Sequence, residues 1–176
     1  MGETALVILV PEAEAVVGGW RARYDPADAA IPPHVTVLYP FFESQLVGPE
    51  IDQGLEETFA AIPAFELSFA GLCGLPGVLY LAPEPGAAVE RLIASVGERF
   101  PALEPYGGAF DEVIPHLTIA ITASAENAME VAREADEHWA QGRLPFSVRV
   151  EAVELLEQDE SGTFRTRRSF ALGSQK

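Results

Sequence analysis

Positive charge is scarce in this sequence. Its 176 residues include 11 Lys and Arg against 27 Asp and Glu, which gives a formal net charge of −16 at pH 7, and Lys176 is the only lysine. A protein this acidic repels long polyanions, whereas general nucleic-acid binding requires basic patches that displace counterions. We therefore exclude DNA as a partner and a role in coating RNA. A small phosphate ester or one nucleic-acid end could still bind if a cleft were locally positive.

Cysteine and long apolar runs are scarce as well. Cys73 is the only cysteine, so an internal disulfide is excluded. The apolar run at residues 5–10 has no basic residues before it and reaches Pro11 too soon for a signal peptide. No run approaches the ~20 apolar residues of a membrane helix. We expect a cytoplasmic, monomeric protein with no membrane partner.

Several common catalytic motifs are missing. The sequence contains no G-x-x-x-x-G-K-[ST] phosphate loop, no G-x-S-x-G elbow and no G-x-G-x-x-G. The composition is nevertheless that of a globular chain, with 48% apolar and 22% charged residues. A chain of this length is expected to form one domain, residues 1–176, with a sizeable core.

Two short apolar segments share a His-x-Thr motif. PHVTVLYPF contains His34 and Thr36, and PHLTIAI contains His116 and Thr118, 82 residues later. Both segments predict a β-strand, in which successive side chains point to opposite faces. Each imidazole therefore shares a strand face with the hydroxyl of its threonine.

Strict alternation also predicts the faces of the neighbouring residues. Leu38 and Ala120 fall on the His-x-Thr face, whereas Tyr39 and Ile121 fall on the opposite face, which can form a core. Tyr39 is a candidate for stacking on a substrate base. Its position opposite His34 favours core packing as the alternative.

The motif repeat belongs to a longer internal repeat. Residues 4–73 and 77–157 each read as strand, helix, His-x-Thr strand, helix and strand, and residues 163–172 form a final strand. The sequence of residues 78–84 corresponds to that of residues 6–12 in this repeat. Two copies of one unit tend to pack with approximate two-fold symmetry, so both motifs are expected to face one cleft.

Two histidines and two threonines at one cleft suit phosphoryl chemistry. With an ordinary pKa near ~6.5, one histidine can take a proton from an attacking oxygen while the other protonates the leaving oxygen. Threonine hydroxyls can donate hydrogen bonds to the non-bridging oxygens of a phosphodiester. Nothing in this set of residues requires a metal ion.

The two motifs resemble the signature motifs of the 2H phosphoesterase superfamily, the 2′,5′-RNA ligase-like and cyclic phosphodiesterase proteins. The order of elements resembles that family from Ala5 to about Leu172. The resemblance implies a bilobal α+β fold, with two mainly antiparallel sheets flanked by helices and a central cleft. It also implies metal-independent phosphodiesterase chemistry, without a cofactor, on 2′,3′-cyclic phosphates or 2′,5′-phosphodiesters of nucleotides or RNA ends. The catalytic residues it implies are His34, Thr36, His116 and Thr118.

Other functions are open at this point. The same residues could serve 2′,5′-RNA ligation, a non-catalytic nucleotide- or phosphate-binding module, or a structural role. Zinc binding by His34 and His116 with Asp111 or Glu112 fits no standard ligand spacing. His138 is explained by its place near a helix end among carboxylates.

Arg165, Arg167 and Arg168 form the basic cluster of the chain. Arg165 and Arg167 share one face of the final strand, and guanidinium groups match phosphate oxygens bidentately. We therefore take Arg165 and Arg167, with Tyr39, as candidate substrate-binding residues. The alternative for the arginines is a charged edge strand that resists pairing with other chains. The loops at residues 25–33 and 101–112 lead into the motif strands and are expected to shape access.

Overall fold

The computed structural model describes residues 2–27, 30–109, 113–122, 124–139 and 142–174. Within these ranges the chain forms two four-stranded antiparallel sheets and four α-helices. The predicted α+β class with two antiparallel sheets is confirmed. None of the helices in the described ranges has the length and apolar content needed to cross a membrane.

The strands follow the sequence-based predictions closely. They are β1 (Thr4–Leu9), β2 (His34–Leu38), β3 (Phe65–Leu75), β4 (Val78–Glu84), β5 (Leu117–Ile121), β6 (Phe146–Val150), β7 (Ala152–Gln158) and β8 (Phe164–Ala171). The first sheet has the order β2-β1-β7-β8, and the second has the order β5-β4-β3-β6. Both motif strands, β2 and β5, are therefore at the edge of a sheet.

The helices are α1 (Glu14–Tyr24), α2 (Pro49–Ala60), α3 (Gly86–Arg99) and α4 (Ala125–Trp139). A 3₁₀ turn at Pro11–Ala13 precedes α1, which begins at Glu14. Pro49 occupies the first turn of α2, where its missing N–H is not needed. The hydroxyl of Ser124 accepts a hydrogen bond from the Asn127 N–H at 3.2 Å and so caps α4.

The sequence repeat and the sheets have different boundaries. β3 ends the first predicted repeat but lies in the second sheet, between β4 and β6. β7 and β8 return to complete the first sheet beside β1. The helices also pack against strands of the other half of the chain. Helix α1 packs against β5, and α3 packs against β2. The two halves are thus interlocked rather than arranged as two consecutive units.

A β-bulge interrupts β2 directly after the motif threonine. Leu6 of β1 pairs with Leu38, and the next residue, Val7, pairs with Thr36. Val37 is therefore the extra residue on β2. A bulge of this kind shifts the alternation of all side chains beyond it.

The same bulge occurs in β5. Leu79 of β4 pairs with Ala120, and Tyr80 pairs with Thr118, so Ile119 is the extra residue. Matching these pairs with those of β2 makes Leu79 the structural counterpart of Leu6. The predicted correspondence between residues 6–12 and residues 78–84 was therefore wrong by one residue.

The bulges correct the predicted faces of four residues. Leu38 and Ala120, which were expected beside the histidines, are buried in the main core. Tyr39 and Ile121, which were expected in that core, line the cleft that contains the motifs. Strict alternation was correct from each histidine to its threonine and wrong beyond the bulge.

Phe59 of α2 tests the packing between this helix and the first sheet. Its side chain is fully buried, with its ring 6.0 Å from the ring of Phe170 on β8. We expect Phe59→Ala to reduce the free energy of unfolding in urea by about 3–5 kcal/mol, because it leaves a cavity. The control Leu46→Ala, at an exposed site, should change it by less than about 0.5 kcal/mol. Equal effects of the two substitutions would contradict this packing.

Candidate functional site

The two His-x-Thr motifs meet at one cavity of about 380 Å³. β2 and β5 lie side by side, and the cavity opens between the two sheets. The cavity is lined by His34, Thr36, His116 and Thr118, and each of these four residues is partly exposed. The structure therefore brings together all four residues that the sequence predicted.

Both histidine rings are held in the same way. The Nδ1 atom of His34 is 2.8 Å from the carbonyl oxygen of Pro32, and that of His116 is 2.7 Å from the carbonyl oxygen of Ile114. A carbonyl oxygen only accepts hydrogen bonds, so each Nδ1 carries a proton and donates it. Each Nε2 is then the nitrogen available for proton transfer.

The environment of His34 favours its neutral form. Burial lowers the pKa of His34 below the usual 6.5, and the positive charge of Arg21 lowers it further. The hydrogen bond to the Pro32 carbonyl and the negative charge of Asp25 oppose this shift without cancelling it. At neutral pH the Nε2 of His34 is therefore unprotonated and able to accept a proton.

A buried ion pair supports the loop that leads into His34. Arg21 Nε is 3.0 Å from Asp25 Oδ2, and both side chains are almost fully buried. Arg21 Nη2 also donates to the carbonyl oxygen of Ile31 at 2.8 Å, and Asp25 Oδ1 accepts from the Ala27 N–H at 2.9 Å. The sequence analysis missed this pair, although its i, i+4 spacing at the end of a helix was a signal.

Tyr106 enters the cavity from the loop that precedes the second motif. Its backbone has φ of 53°, and its N–H donates to the carbonyl oxygen of Tyr39 at 2.6 Å. Burial raises the pKa of the Tyr106 phenol, while a hydrogen bond with the Thr36 hydroxyl lowers it. The sequence analysis did not single out Tyr106, because nothing local indicates which residue of a loop reaches the cleft.

Tyr39 and Phe164 contribute to the aromatic wall of the cavity. Their rings make an edge contact with centroids 6.3 Å apart. The Tyr39 hydroxyl donates to the Glu3 carboxylate, and this bond raises the pKa of Tyr39 to about 12. Tyr39 is therefore a neutral phenol whose ring borders the cavity, and it stays a candidate for substrate contact.

The two halves of the site differ at one matching position. Tyr80 of β4 pairs with Thr118, and its ring makes an edge contact with the His116 ring at 5.6 Å. The corresponding residue of β1 is Val7, which pairs with Thr36. His116 thus has an aromatic neighbour at a position where the first motif has a valine, so the surroundings of the two histidines differ.

The arginines of β8 are directed elsewhere. Arg165 binds the Asp159 carboxylate at 2.9 Å, and Arg167 donates to the carbonyl oxygen of Val47 at 2.7 Å. Arg168 bridges Asp52 and Glu56 of α2. None of the three is among the residues that line the cavity within the described ranges. The geometry therefore favours the alternative of a charged, protected edge strand, and a substrate contact by Arg165 or Arg167 stays a prediction.

The zinc alternative concerned Asp111 and Glu112, which lie outside the described residues. In the part of the chain that the structure describes, no group of three or more His, Cys, Asp and Glu side chains is placed to hold a metal ion.

Comparison with known proteins agrees with this geometry. The family model of the 2′-5′ RNA ligase superfamily matches residues 9–162. A Bacillus pumilus protein provisionally named as a phosphoesterase is 28% identical, with 96% of this chain and 97% of that protein aligned. A similarly named Geobacillus kaustophilus protein is 25% identical, with 97% and 96% aligned.

Solved structures share the fold at low sequence identity. A Thermus thermophilus protein aligns with a TM-score of 0.62 at 17% identity, over 99% of this chain and all of its own. The E. coli LigT protein, solved with 3′-AMP, aligns with a TM-score of 0.57 at 19% identity over 97% of each chain. Since the family model covers most of the sequence and the paired motifs meet in one cleft, this chain belongs to the 2′-5′ RNA ligase superfamily, the 2H phosphoesterases.

Proposed function

We propose that this protein is a phosphodiesterase that requires no metal ion and acts on the 2′,3′-cyclic phosphates or 2′,5′-phosphodiesters of nucleotides or RNA ends. The observation that carries the proposal is the pair of histidines in one cavity, each with Nδ1 bound to a carbonyl oxygen. This arrangement frees both Nε2 atoms for proton transfer. The membership of the chain in a phosphoesterase family supports it.

In the proposed reaction, His34 is the base and His116 is the acid. His34 Nε2 takes a proton from water, whose oxygen attacks phosphorus and forms the new P–O bond. The bond from phosphorus to one ribose oxygen breaks, and the protonated His116 gives its Nε2 proton to that oxygen. The lowered pKa of His34 motivates this assignment, because a base must be neutral before the reaction.

Thr36 and Thr118 would bind the two non-bridging oxygens of the phosphate. Both hydroxyls line the same cavity, one from each motif strand. Donors placed where negative charge develops stabilise the transition state, especially where water is partly excluded. The wall formed by Tyr39, Ile121 and Phe164 would contact the base or ribose. The related LigT protein, whose structures contain 3′-AMP, ATP or NADP+, supports a nucleotide as the ligand.

The first test is turnover of nucleoside 2′,3′-cyclic phosphates with EDTA present. We expect wild-type turnover to survive EDTA, and His34→Ala and His116→Ala each to lower kcat by about 10²–10⁴-fold, the usual contribution of general acid–base catalysis. Met129→Ala, at an exposed site on α4, is the control and should retain full activity. Loss of turnover in EDTA, or activity retained in both histidine variants, would disprove the mechanism. Binding without turnover would instead indicate a non-catalytic module.

The pH dependence of kcat/KM tests the assignment of the base. Protonation of His34 stops the reaction, and its pKa lies below 6.5, so the acid limb of the profile should fall below pH 6.5. We expect His116→Ala to keep this acid limb, because His34 is unchanged in this variant. An acid limb above pH 6.5 in the wild-type protein would show that His34 is not the base.

Tyr106→Phe tests whether the phenol orients Thr36. We expect kcat/KM to fall by about 2–10-fold, which corresponds to the loss of one hydrogen bond. Tyr106→Ala should lower it further, because the ring is lost as well. In a Thr36→Val background, Tyr106→Phe should have no additional effect. Independent effects of the two substitutions would show that the hydroxyl groups do not act together.

A further inference from the structure

A second cavity, of about 390 Å³, lies between α1 and the end of α4. Three side chains that can carry positive charge line it: Arg23, His138 and Arg143. The indole ring of Trp20 and the side chain of Val16 line it as well. We call this cavity the α1–α4 pocket. In a chain with a net charge of −16, two arginines at one pocket require an explanation.

The charge of Arg143 is available to a ligand. Its Nη1 donates to the backbone carbonyl oxygen of Ala15 at 2.7 Å, which is an uncharged acceptor. No carboxylate in the described part of the chain forms an ion pair with it. The carbonyl bond fixes the guanidinium against α1 without neutralising it. An anion in the pocket would therefore meet a positioned positive charge.

Arg23 is paired, but only weakly. Its Nη2 is 3.2 Å from Glu134 Oε2, and the two side chains are 53% and 34% exposed. Ion pairs this exposed contribute little, because water screens them and the long side chains lose entropy in forming them. Arg23 can therefore exchange Glu134 for a phosphate at small cost.

Two buried polar groups beside these arginines have no hydrogen-bond partner among the described residues. They are Trp20 Nε1 and Thr122 Oγ1, in residues that are only 7% and 8% exposed. Buried donors are ordinarily satisfied. The neighbouring Trp139 follows this rule, since its Nε1 donates to the Val16 carbonyl oxygen at 3.2 Å. A ligand oxygen that reached either atom would supply the missing acceptor.

A third cavity has lining residues in common with both the α1–α4 pocket and the cleft that contains the motifs. It shares Arg23 with the pocket, and it shares Asp25, Pro26 and Ile121 with the cleft. Thr122 also lines this connecting cavity. Because α1 rises about 1.5 Å per residue, Asp25 and the Gly19 edge of the pocket are roughly 9 Å apart along the helix axis. A mononucleotide in the cleft would leave this path empty.

We propose that the α1–α4 pocket binds a backbone phosphate of an oligoribonucleotide whose terminal phosphate reacts in the cleft. This inference rests on the proposed function and extends it to a substrate of several nucleotides. Guanidinium groups bind phosphate oxygens in pairs, and the Trp20 ring offers a face or edge to a base. The acidic surface elsewhere repels long chains, so the pocket selects short ones.

The experiment compares a nucleoside 2′,3′-cyclic phosphate with a trinucleotide that ends in the same cyclic phosphate. We expect Arg23→Gln with Arg143→Gln to lower kcat/KM for the trinucleotide about tenfold and to leave the mononucleotide unchanged. In the wild type, kcat/KM for the trinucleotide should fall more steeply with salt, by about 0.7 in log–log slope per phosphate bound. Arg133→Gln is the matched control, since this arginine is exposed and pairs with Glu137 on α4.

A binding measurement keeps the inference separate from the proposed function. Trp20 and Trp139 are the two tryptophans of the chain and lie in contact at the pocket, so tryptophan fluorescence reports on it. Titration with a 3′-phosphorylated trinucleotide should change the fluorescence of the wild type and of His34→Ala, and the arginine variants should bind about tenfold more weakly. This result would stand even if no cyclic phosphate were turned over.

Three results would overturn the inference. The first is an absence of fluorescence change on titration with the trinucleotide. The second is equal trinucleotide affinity, and equal trinucleotide kcat/KM, in the arginine variants and in Arg133→Gln. The third is inorganic phosphate that binds as tightly as the trinucleotide, which would identify a site for a free anion.

Discussion

Each motif strand is held between a strand of its own sheet and a helix from the other half of the chain. β2 pairs with β1 and packs against α3, and β5 pairs with β4 and packs against α1. The two edge strands are thereby fixed side by side, with His34 and His116 in one cavity. Acid–base catalysis by two groups depends on their separation, so this interlocking of the halves is the constraint on which the site depends.

The two bulges determine which side chains of the motif strands line the cleft. If β2 and β5 were regular strands without the bulges at Val37 and Ile119, their side chains would continue to alternate strictly. Leu38 and Ala120 would then face the cleft, and Tyr39 would lie in the core. The bulges instead bury the first two and leave the threonines beside an aromatic and aliphatic wall. The repetition of the bulge at the same place in both motifs connects local backbone geometry directly to the composition of the site.

The positive charges of this acidic chain are distributed unevenly. The arginines of β8 bind carboxylates and backbone carbonyl oxygens at the edge of the first sheet. Arg21 is paired with Asp25 beneath the loop that leads to His34, where it also helps to keep that histidine neutral. Two further arginines, Arg23 on α1 and Arg143 after α4, line the α1–α4 pocket. The net charge of the chain thus repels polyanions, while positive side chains are concentrated at a few places.

The sequence by itself determined most of the secondary structure and the four motif residues that meet in the cleft, because both depend on short-range patterns. Alternating and helical periodicity located the strands and helices, and the repeated motif identified His34 and His116 with their threonines. Tertiary structure decided the features that depend on residues distant in the chain. The bulge in β2 places Tyr39 at the cleft, and the loop before the second motif places Tyr106 there. Arg167 instead binds the carbonyl oxygen of Val47. Register and loop placement are set by packing against residues that no local pattern specifies.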